Sequence, residues 1–291
     1  MSLPSTARAD GLLLVDKPAG VTSHDVVARA RRVLRERRIG HLGTLDPFAT
    51  GLLVLLVGRA TRLAQYLDGE PKEYAATVSF GAETETDDGT GAVTVTAPLP
   101  APADVRRAIE QLTGSLEQMP PAYSAKQVDG ERSYAAARAG RALALRAVPV
   151  QVHGWQVEQL TPERAQVRVT CSGGTYVRAL ARDLGRRCGS AAHLTALRRL
   201  RSGPFQVADA VSWDALEPAA PPALRSPLPG LAAFAPVPLG AEELERVLRG
   251  AAIPAHVPGD RAVLLDEAGE VVAVAQRVQE RWQPRAVLRD G

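Results

Sequence analysis

A glycine-bounded loop at residues 41–51 most constrains the fold of this chain, because it separates a strongly basic helix from an apolar strand. Residues 52–57 are uninterrupted Leu and Val, a pattern typical of a strand that is buried on both faces. Gly43 and Gly51 permit backbone angles that other residues resist. Catalytic groups often lie on loops held by a rigid scaffold, so the lone acid Asp46 is a candidate reactive group. Taken alone, however, an Asp-Pro pair more often marks a plain turn.

The hydrophobic periodicity predicts a mixed α+β fold. Residues 74–80 alternate with a period of two, which places Tyr74 on the same face of a strand as three apolar side chains. We expect a largely antiparallel central sheet flanked by helices. Helices are predicted at residues 24–38, 104–112, 176–188, 191–200 and 242–249, and strands at residues 12–15, 52–57, 74–80, 148–157, 166–171, 262–265, 271–275 and 286–288.

Proline and glycine positions predict the domain organisation. Seven prolines lie between residues 218 and 238, so residues 217–238 are predicted to link a main domain, residues 1–216, to a small β-rich module, residues 239–291. A module of that size usually needs a partner surface to be stable. Residues 117–147 are interrupted by proline and glycine, and they are predicted to form an inserted flap that carries Lys126 and Arg132.

Two dense clusters of arginine suggest a polyanionic partner. The net charge is only +3, yet residues 29–38 carry six Arg against one Glu, and residues 178–201 carry seven Arg against one Asp. Basic stripes on a nearly neutral protein are the electrostatic footprint of nucleic-acid binding. Arg178 lies in the first turn of its predicted helix, where the helix dipole disfavours a cation, so it needs either an RNA phosphate or a protein carboxylate as a partner, unless it simply faces solvent.

Several other classes of site are excluded by the motifs. The sequence has no P-loop, no GxGxxG after a strand, no HExxH and no GxSxG. Residues 83–89 resemble the front of a calcium loop, but the closing glutamate is missing, so a solvated acidic turn is predicted and no metal. Cys171 and Cys188 lack ligand spacing and are interpreted as buried free thiols. The longest apolar run is too short to span a bilayer, and we expect a soluble cytoplasmic protein without a membrane partner.

Five separated segments, taken in order, resemble the TruB family of tRNA pseudouridine synthases. The resemblance covers most of residues 11–213, and the C-terminal module is similar, more loosely, to the reduced PUA-like domain of bacterial members. The segments are VDKPAGVTS at 15–23, GHLGTLDPFATG at 40–51, KEY at 72–74, GTYVRALARDLG at 174–185 and AHLTALRRL at 192–200. The resemblance implies a pseudouridine synthase fold and a catalytic domain at residues 1–216, with residues 117–147 as an RNA-clamping insertion.

The same resemblance implies a reaction and the residues that perform it. Uridine 55 in the T-loop of tRNA would be isomerised without a cofactor and without a guide RNA, by a protein expected to be a monomer. Asp46 matches the essential aspartate, Tyr74 the tyrosine that stacks on the target base, and Arg178 the arginine paired with the aspartate. The positions that match substrate contacts are His41, Tyr176, Leu197 and Lys17.

The residues suit such chemistry, and they leave two alternatives open. An ionised carboxylate can attack C1′ of the ribose or abstract a ribose proton, a nearby arginine favours its charged form, and a tyrosine offers a ring for stacking and a hydroxyl for proton transfer. A tyrosine on the inner face of a strand is nevertheless more often plain core. The alternatives are a pseudouridine synthase acting on another RNA, and a chaperone that refolds tRNA with catalysis as a secondary activity.

Overall fold

A computed structural model of the chain describes residues 10–67, 69–123 and 145–289, together with the backbone of residues 127–128 and 131–132. Much of the predicted insertion, with Lys126 and the side chain of Arg132, therefore lies outside the described residues. Within the described part of the chain, none of the helices is both long enough and apolar enough to span a bilayer.

The described chain contains helices and strands in a mixed order. The α-helices are α1 Ser23–Leu34, α2 Pro102–Gln111, α3 Val177–Arg187 and α4 Ala241–Leu248, and 3₁₀ turns lie at Gly58–Leu63, Val207–Asp209 and Leu228–Leu231. The strands are β1 Gly11–Lys17, β2 Ile39–Leu42, β3 Thr50–Val57, β4 Lys72–Phe80, β5 Ala82–Thr84, β6 Val93–Thr96, β7 Gly114–Gln118, β8 Gln127–Val128, β9 Glu131–Arg132, β10 Val148–Leu160, β11 Arg164–Cys171, β12 Ala192–Ser202, β13 Phe205–Gln206, β14 Val211–Ser212, β15 Ala235–Pro238, β16 Ile253–Pro254, β17 Arg261–Leu265, β18 Val271–Val278 and β19 Arg281–Val287.

The chain divides into two compact units. Unit 1 is formed by Met1–Pro47, Gly51–Gly69 and Ser202–Gly291, and unit 2 by Phe48–Thr50 and Glu70–Arg201. This division differs from the boundaries predicted at residues 217–238, because the C-terminal strands belong to the same unit as β1 and most of β3. The predicted domain boundaries stay a prediction.

In unit 1, strands β1 and β3 are buried on both faces. They pair antiparallel over their length, and β2 and β14 pair beside them. Leu13, Leu53 and Leu55 face α1, whereas Leu12 and Leu52 face the opposite core. The uninterrupted apolar run at residues 52–57 is therefore a fully buried strand, as predicted.

The C-terminal module packs on that opposite core. Its sheet has the order β15-β17-β18-β19-β16, and Trp282 lies at the centre of its own core with Val247 of α4. Val263 and Val274 belong instead to the cluster that contains Leu12. The module thus buries apolar side chains against β1 and β3, which agrees with the expectation that so small a unit needs a partner surface.

Unit 2 is built on the strand order β12-β4-β11-β10-β7. Strands β4, β11, β10 and β7 are successively antiparallel, and β5 and β6 form a separate hairpin. Tyr74 is buried with Ala76, Val78 and Phe80 along β4, as the alternating pattern predicted. Strands β1 and β14 and strands β15 and β17 pair in parallel, whereas β1–β3, β2–β3 and the run β4-β11-β10-β7 are antiparallel, so the α+β class with a mainly antiparallel sheet is confirmed.

The predicted helix at residues 191–200 is wrong. This segment is strand β12, with Ala192, Leu194, Leu197 and Arg199 buried. Its Ala and Leu residues favour a helix, and the spacing of its leucines also fits a helical repeat. Pairing with β4 decides the conformation instead, because local propensity is a weak influence compared with tertiary context.

Helix α1 ends earlier than predicted. Thr22 is its N-cap and accepts a hydrogen bond from the Asp25 N–H, while the Asp25 carboxylate accepts one from the Thr22 N–H. Arg35, with φ of 51°, closes the helix in the left-handed conformation, so the helix stops at Leu34 and not at residue 38. Glycine usually occupies such a position, and its absence hid the end of the helix from the sequence.

Candidate active site

The backbone on both sides of Asp46 is fixed within unit 1. The Ser23 hydroxyl donates to the carbonyl of Leu45 and accepts from the N–H of the same residue, both at 3.0 Å. The carbonyl of Pro47 accepts from the Gly20 N–H at 2.8 Å and from the Lys17 ammonium at 3.3 Å. Asp46 itself is half-buried. Its carboxylate is therefore displayed by a loop whose neighbouring residues are held in place, which suits a reactive group.

Lys17 holds this loop from inside the protein. Its side chain is 0% exposed, and its ammonium donates to the carbonyls of Val21 at 2.6 Å, Pro18 at 2.9 Å and Pro47 at 3.3 Å. A lysine ammonium has three N–H donors, so it can hold all three carbonyls. The geometry indicates that Lys17 positions the Asp46 loop, and the predicted substrate contact stays a prediction.

His41 lies in strand β2 of unit 1 and is half-buried. Its ring stands at 83° to the ring of His24, with 5.9 Å between the centroids. His24 is exposed at the start of α1, so the two imidazoles form a small aromatic contact beside the Asp46 loop.

The arginines of residues 29–38 form an exposed basic face, as predicted. Arg29 is the exception, because its guanidinium lies 4.5 Å from the Trp213 ring and donates to the carbonyl of Leu216. The side chains exposed to solvent are Arg31, Arg32, Arg35, Arg37 and Arg38. This face has the charge and the exposure needed to contact a nucleic-acid backbone.

The other four predicted site residues lie in unit 2. Tyr74 is 7% exposed on β4 and stands opposite Val169 of β11. Leu197 is 8% exposed on β12, and its carbonyl is 3.5 Å from the hydroxyl of Thr50. Tyr176 is the half-buried residue that precedes α3, and Arg178 lies in the first turn of that helix.

Arg178 is fixed by contacts from two directions. Its guanidinium is 4% exposed and donates to the carbonyls of Thr86 and Tyr123, both at 2.8 Å. The Asp88 carboxylate lies 3.7 Å away. Of the partners that the sequence allowed for an arginine at a helix N-terminus, a protein carboxylate is therefore present. A planar guanidinium held at several N–H groups has one orientation, which is the requirement for a positioning cation.

The acidic segment at residues 83–88 is not the solvated turn that the sequence predicted. Three of its carboxylates are buried. Each lies near a different arginine of α3, and these arginines follow one another at intervals of one helical turn. The pairs are Asp88 with Arg178 at 3.7 Å, Asp87 with Arg182 at 2.9 Å and Glu83 with Arg186 at 2.6 Å. The spacing of four residues puts the three arginines on one face of the helix.

This arrangement also corrects the interpretation of the second arginine stripe. Three of these arginines are buried, namely Arg178, Arg182 and Arg199. The side chain of Arg186 is exposed, but it forms an ion pair with Glu83. Much of the charge at residues 178–201 therefore holds the protein together and is not offered to a partner. The sequence showed the arginines but not the acids that meet them, because the two segments are about ninety residues apart.

Asp87 shows the cost of burying this network. Burial raises the pKa of its carboxyl, and the nearby Arg182 and Arg178 oppose that increase without cancelling it. Its backbone has φ of 59°, a left-handed conformation that Asp tolerates better than most residues. The buried pair between Asp87 and Arg182 is thus held by geometry at some expense of free energy, as is common for buried ion pairs.

Two domain models of one protein family match this chain. A model of the TruB family pseudouridylate synthase N-terminal domain matches residues 31–177, which is half of the chain. A model of the tRNA pseudouridylate synthase B C-terminal domain matches residues 178–225. The chain belongs to the TruB family. The relatives of this TruB member include a protein of Thermobifida fusca named tRNA pseudouridine synthase B, 45% identical over 96% of the chain and 99% of the relative. A protein of Geobacter sulfurreducens with the same name is 42% identical over 94% and 95%.

Solved structures give the same fold for this TruB-family chain. A chain from the crystal structure of a Cbf5-Nop10-Gar1 complex superposes with a TM-score of 0.71 at 23% identity, covering 96% of this chain and 85% of that chain. A chain from an H/ACA RNP bound to a substrate RNA containing 2′-deoxyuridine superposes with a TM-score of 0.69 at 22% identity, covering 96% and 85%. These likenesses, with the family match, confirm the predicted pseudouridine synthase fold.

Among the described residues, no group of three or more His, Cys, Asp or Glu side chains is arranged to hold a metal ion. One contact in this TruB member was not evident from the sequence. Gln118 is buried and binds the backbone of Tyr176 through both atoms of its amide, yet the two residues are 58 positions apart. A lone glutamine at the end of a strand carries no local signal of such a contact.

Proposed function

We propose that this chain isomerises uridine to pseudouridine at position 55 in the T-loop of tRNA, with Asp46 as the essential carboxylate. Its membership of the TruB family and the names of its relatives support tRNA as the substrate. The observation that carries the proposal is the Asp46 loop, in which a half-buried acid lies between residues anchored by Ser23 and Lys17. The enzyme acts in the cytoplasm as a monomer, without a cofactor and without a guide RNA.

The reaction needs an ionised carboxylate at the ribose. The C1′–N1 bond breaks, the uracil turns while it stays bound, and C1′ joins C5, whose proton is then lost. Asp46 serves either by bonding to C1′ or by removing a ribose proton on the way to a glycal, and both routes begin with the charged form. A loop anchored on both sides of the acid holds it in one position, which is where most of the rate gain from orientation arises.

Arg178 and Tyr74 support that carboxylate in the proposal. The guanidinium of Arg178 is preorganised by Thr86, Tyr123 and Asp88, and as the partner of Asp46 it favours the ionised acid. Tyr74 offers its ring to the flipped uracil and its hydroxyl to the proton at C5. Because Tyr74 is buried, its ring is held rigidly, and its stacking on a base carries a low entropic cost.

The target nucleotide has to leave its stack before this chemistry can occur. Extrusion costs a few kcal/mol, and the cost is smallest where bases are only partly stacked, as in a tRNA loop. The exposed arginines of residues 29–38 contact the phosphate backbone and supply part of the binding energy that offsets this cost. Binding of tRNA is therefore expected to weaken as the salt concentration rises.

The test replaces the carboxylate and leaves the loop in place. Asp46→Asn is expected to bind a T-arm stem-loop RNA nearly as tightly as the wild type and to lose at least about 10³-fold in tritium release from C5-labelled uridine. Asp104→Asn is the matched control, because Asp104 is a half-buried acid in the first turn of α2 whose carboxylate lies 3.3 Å from the Arg107 guanidinium. Its rate should equal that of the wild type.

A change in the RNA tests the position. A stem-loop with cytidine in place of uridine 55 should release no tritium, and an rRNA fragment should be a poor substrate. Near wild-type release by Asp46→Asn would refute the role of the carboxylate. Equal release from the cytidine-55 RNA, or faster release from the rRNA fragment, would refute the assigned position.

A further inference from the structure

Gln118 makes an unusual contact with the residue that begins helix α3. Its side chain is 2% exposed at the end of β7. The amide nitrogen donates to the carbonyl of Tyr176 at 3.1 Å, and the amide oxygen accepts from the N–H of the same tyrosine at 2.8 Å. One side chain therefore binds both backbone polar groups of one residue, as a neighbouring strand does in an antiparallel ladder.

This contact restricts the tyrosine at its backbone. The N–H and the carbonyl of a residue belong to the peptide planes on its two sides, so holding both fixes φ and ψ together. Tyr176 is an N-cap with φ of −94° and ψ of 105°, and it has no side-chain cap of its own. The direction of its Cα–Cβ bond, and thus the starting point of its ring, is set by the Gln118 amide.

The chain that follows Gln118 holds the same helix at two further points. The carbonyl of Met119 accepts from Arg182 at 2.9 Å, and the carbonyl of Tyr123 accepts from Arg178 at 2.8 Å. Pro120 and Pro121 lie between them and are buried, which limits the freedom of this segment. Residues 118–123 thus contact Tyr176, at the N-cap, and two arginines in the first half of α3.

We propose that Gln118 is a positioning residue for the isomerisation, acting through the backbone of Tyr176 and the start of α3. The inference rests on the proposed function, in which Tyr176 contacts the everted nucleotide and Arg178 supports the carboxylate. Without the amide, the tyrosine and the first turn of the helix sample other orientations, and the reacting groups lose their alignment. A misplacement of about 1 Å is enough to lower the rate about 10²-fold.

Two variants separate the loss of the amide from a loss of packing. Gln118→Met keeps the length of the side chain and removes both hydrogen bonds. Gln118→Glu keeps an oxygen that accepts from the Tyr176 N–H and loses the donor to its carbonyl. We expect single-turnover rates on bulk tRNA with C5-tritiated uridine to fall about 30- to 100-fold for Gln118→Met and by less for Gln118→Glu, with tRNA affinity within about threefold of wild type. Gln151→Ala is the control, because the Gln151 amide accepts from Ser115 at 2.7 Å in the neighbouring strand.

A double-mutant cycle tests the route through the tyrosine. Gln118→Met should cost clearly less in a Tyr176→Ala background than in the wild type, because one of the two groups that it orients is then absent, whereas a general loss of stability would lower the rate equally in both backgrounds. Rates are measured well below the melting temperature of each variant. A wild-type rate for Gln118→Met, a loss confined to tRNA affinity, or an undiminished loss in the Tyr176→Ala background would overturn the proposal. The assay uses all tRNA uridines, so failure of the position-55 assignment appears separately, as pseudouridine elsewhere in the wild-type product.

Discussion

Replacing Lys17 by methionine separates two roles that this lysine can have. Methionine has nearly the same length and is apolar, so Lys17→Met removes the ammonium and retains most of the packing. The carbonyls of Pro18 and Val21 lose the donors that lie 2.9 Å and 2.6 Å from them. The carbonyl of Pro47 keeps its bond from the Gly20 N–H at 2.8 Å but loses the contact at 3.3 Å.

The size of the effect follows from these contacts. A buried carbonyl that loses its partner costs about 1–3 kcal/mol, and these two contacts are only part-buried, so the low end applies and the free energy of unfolding falls by about 2 kcal/mol. For a large domain this corresponds to a fall in melting temperature of about 4–8 °C. Because Pro47 follows Asp46 directly, we also expect the loop to shift and kcat to fall about 10²-fold, with tRNA affinity within about twofold of wild type.

Thermal unfolding, tRNA binding and tritium release together decide the outcome. Arg62→Met is the matched control, since Arg62 is exposed and its guanidinium donates to the carbonyl of Val287 at 3.0 Å. Its free energy of unfolding should change by less than about 0.5 kcal/mol. A Lys17→Met protein with an unchanged melting temperature and about tenfold weaker tRNA binding would refute the reasoning, because it would show that the ammonium contacts the RNA.

Two further predictions concern a buried thiol and the basic face. Burial raises the pKa of the Cys171 thiol from 9.0 to about 11, so its contribution to stability is complete below pH 9 and is lost as the pH rises towards 11. Between pH 8.5 and 10.5, urea unfolding should show a decline about 2 kcal/mol larger for the wild type than for Cys171→Ala, and equal declines would contradict this assignment. The double variant Arg32→Gln, Arg37→Gln removes two exposed charges, and the slope of log Kd for tRNA against log salt should fall by about 2. Arg249→Gln, an exposed arginine on the C-terminal module, is the comparison; an unchanged slope for the double variant would exclude the α1 face from the RNA contact.

Local sequence patterns were enough to predict the buried strands and the start of the capped helix, because these features depend on residues close together in the sequence. The apolar run at residues 52–57 needed only to be covered on both faces, and the alternation at residues 74–80 needed one buried face. Thr22 marks the start of α1 because its cap is made by the next residues in the chain. Such signals lie within a few residues of the element they specify.

Contacts between distant segments could not be read in the same way. Strand β12 looked helical because its pairing partner, β4, is about 120 residues away in the sequence. The acidic segment at residues 83–88 looked solvated because the arginines that bury it lie on α3. The ammonium of Lys17 lies among the carbonyls of Pro18, Val21 and Pro47, and a lysine beside a motif does not reveal these contacts.

The sequence by itself determined the family of this protein, since the separated motifs, among them the glycine-bounded loop that carries Asp46, are readable as letters. The tertiary structure alone decided which charges are offered to a partner and which are consumed within the protein. A guanidinium has the same sequence signature on a solvent-exposed helix face and beside a buried carboxylate. Only folding distinguishes the two, because the free energy of a charge depends on what surrounds it and not on its position along the chain.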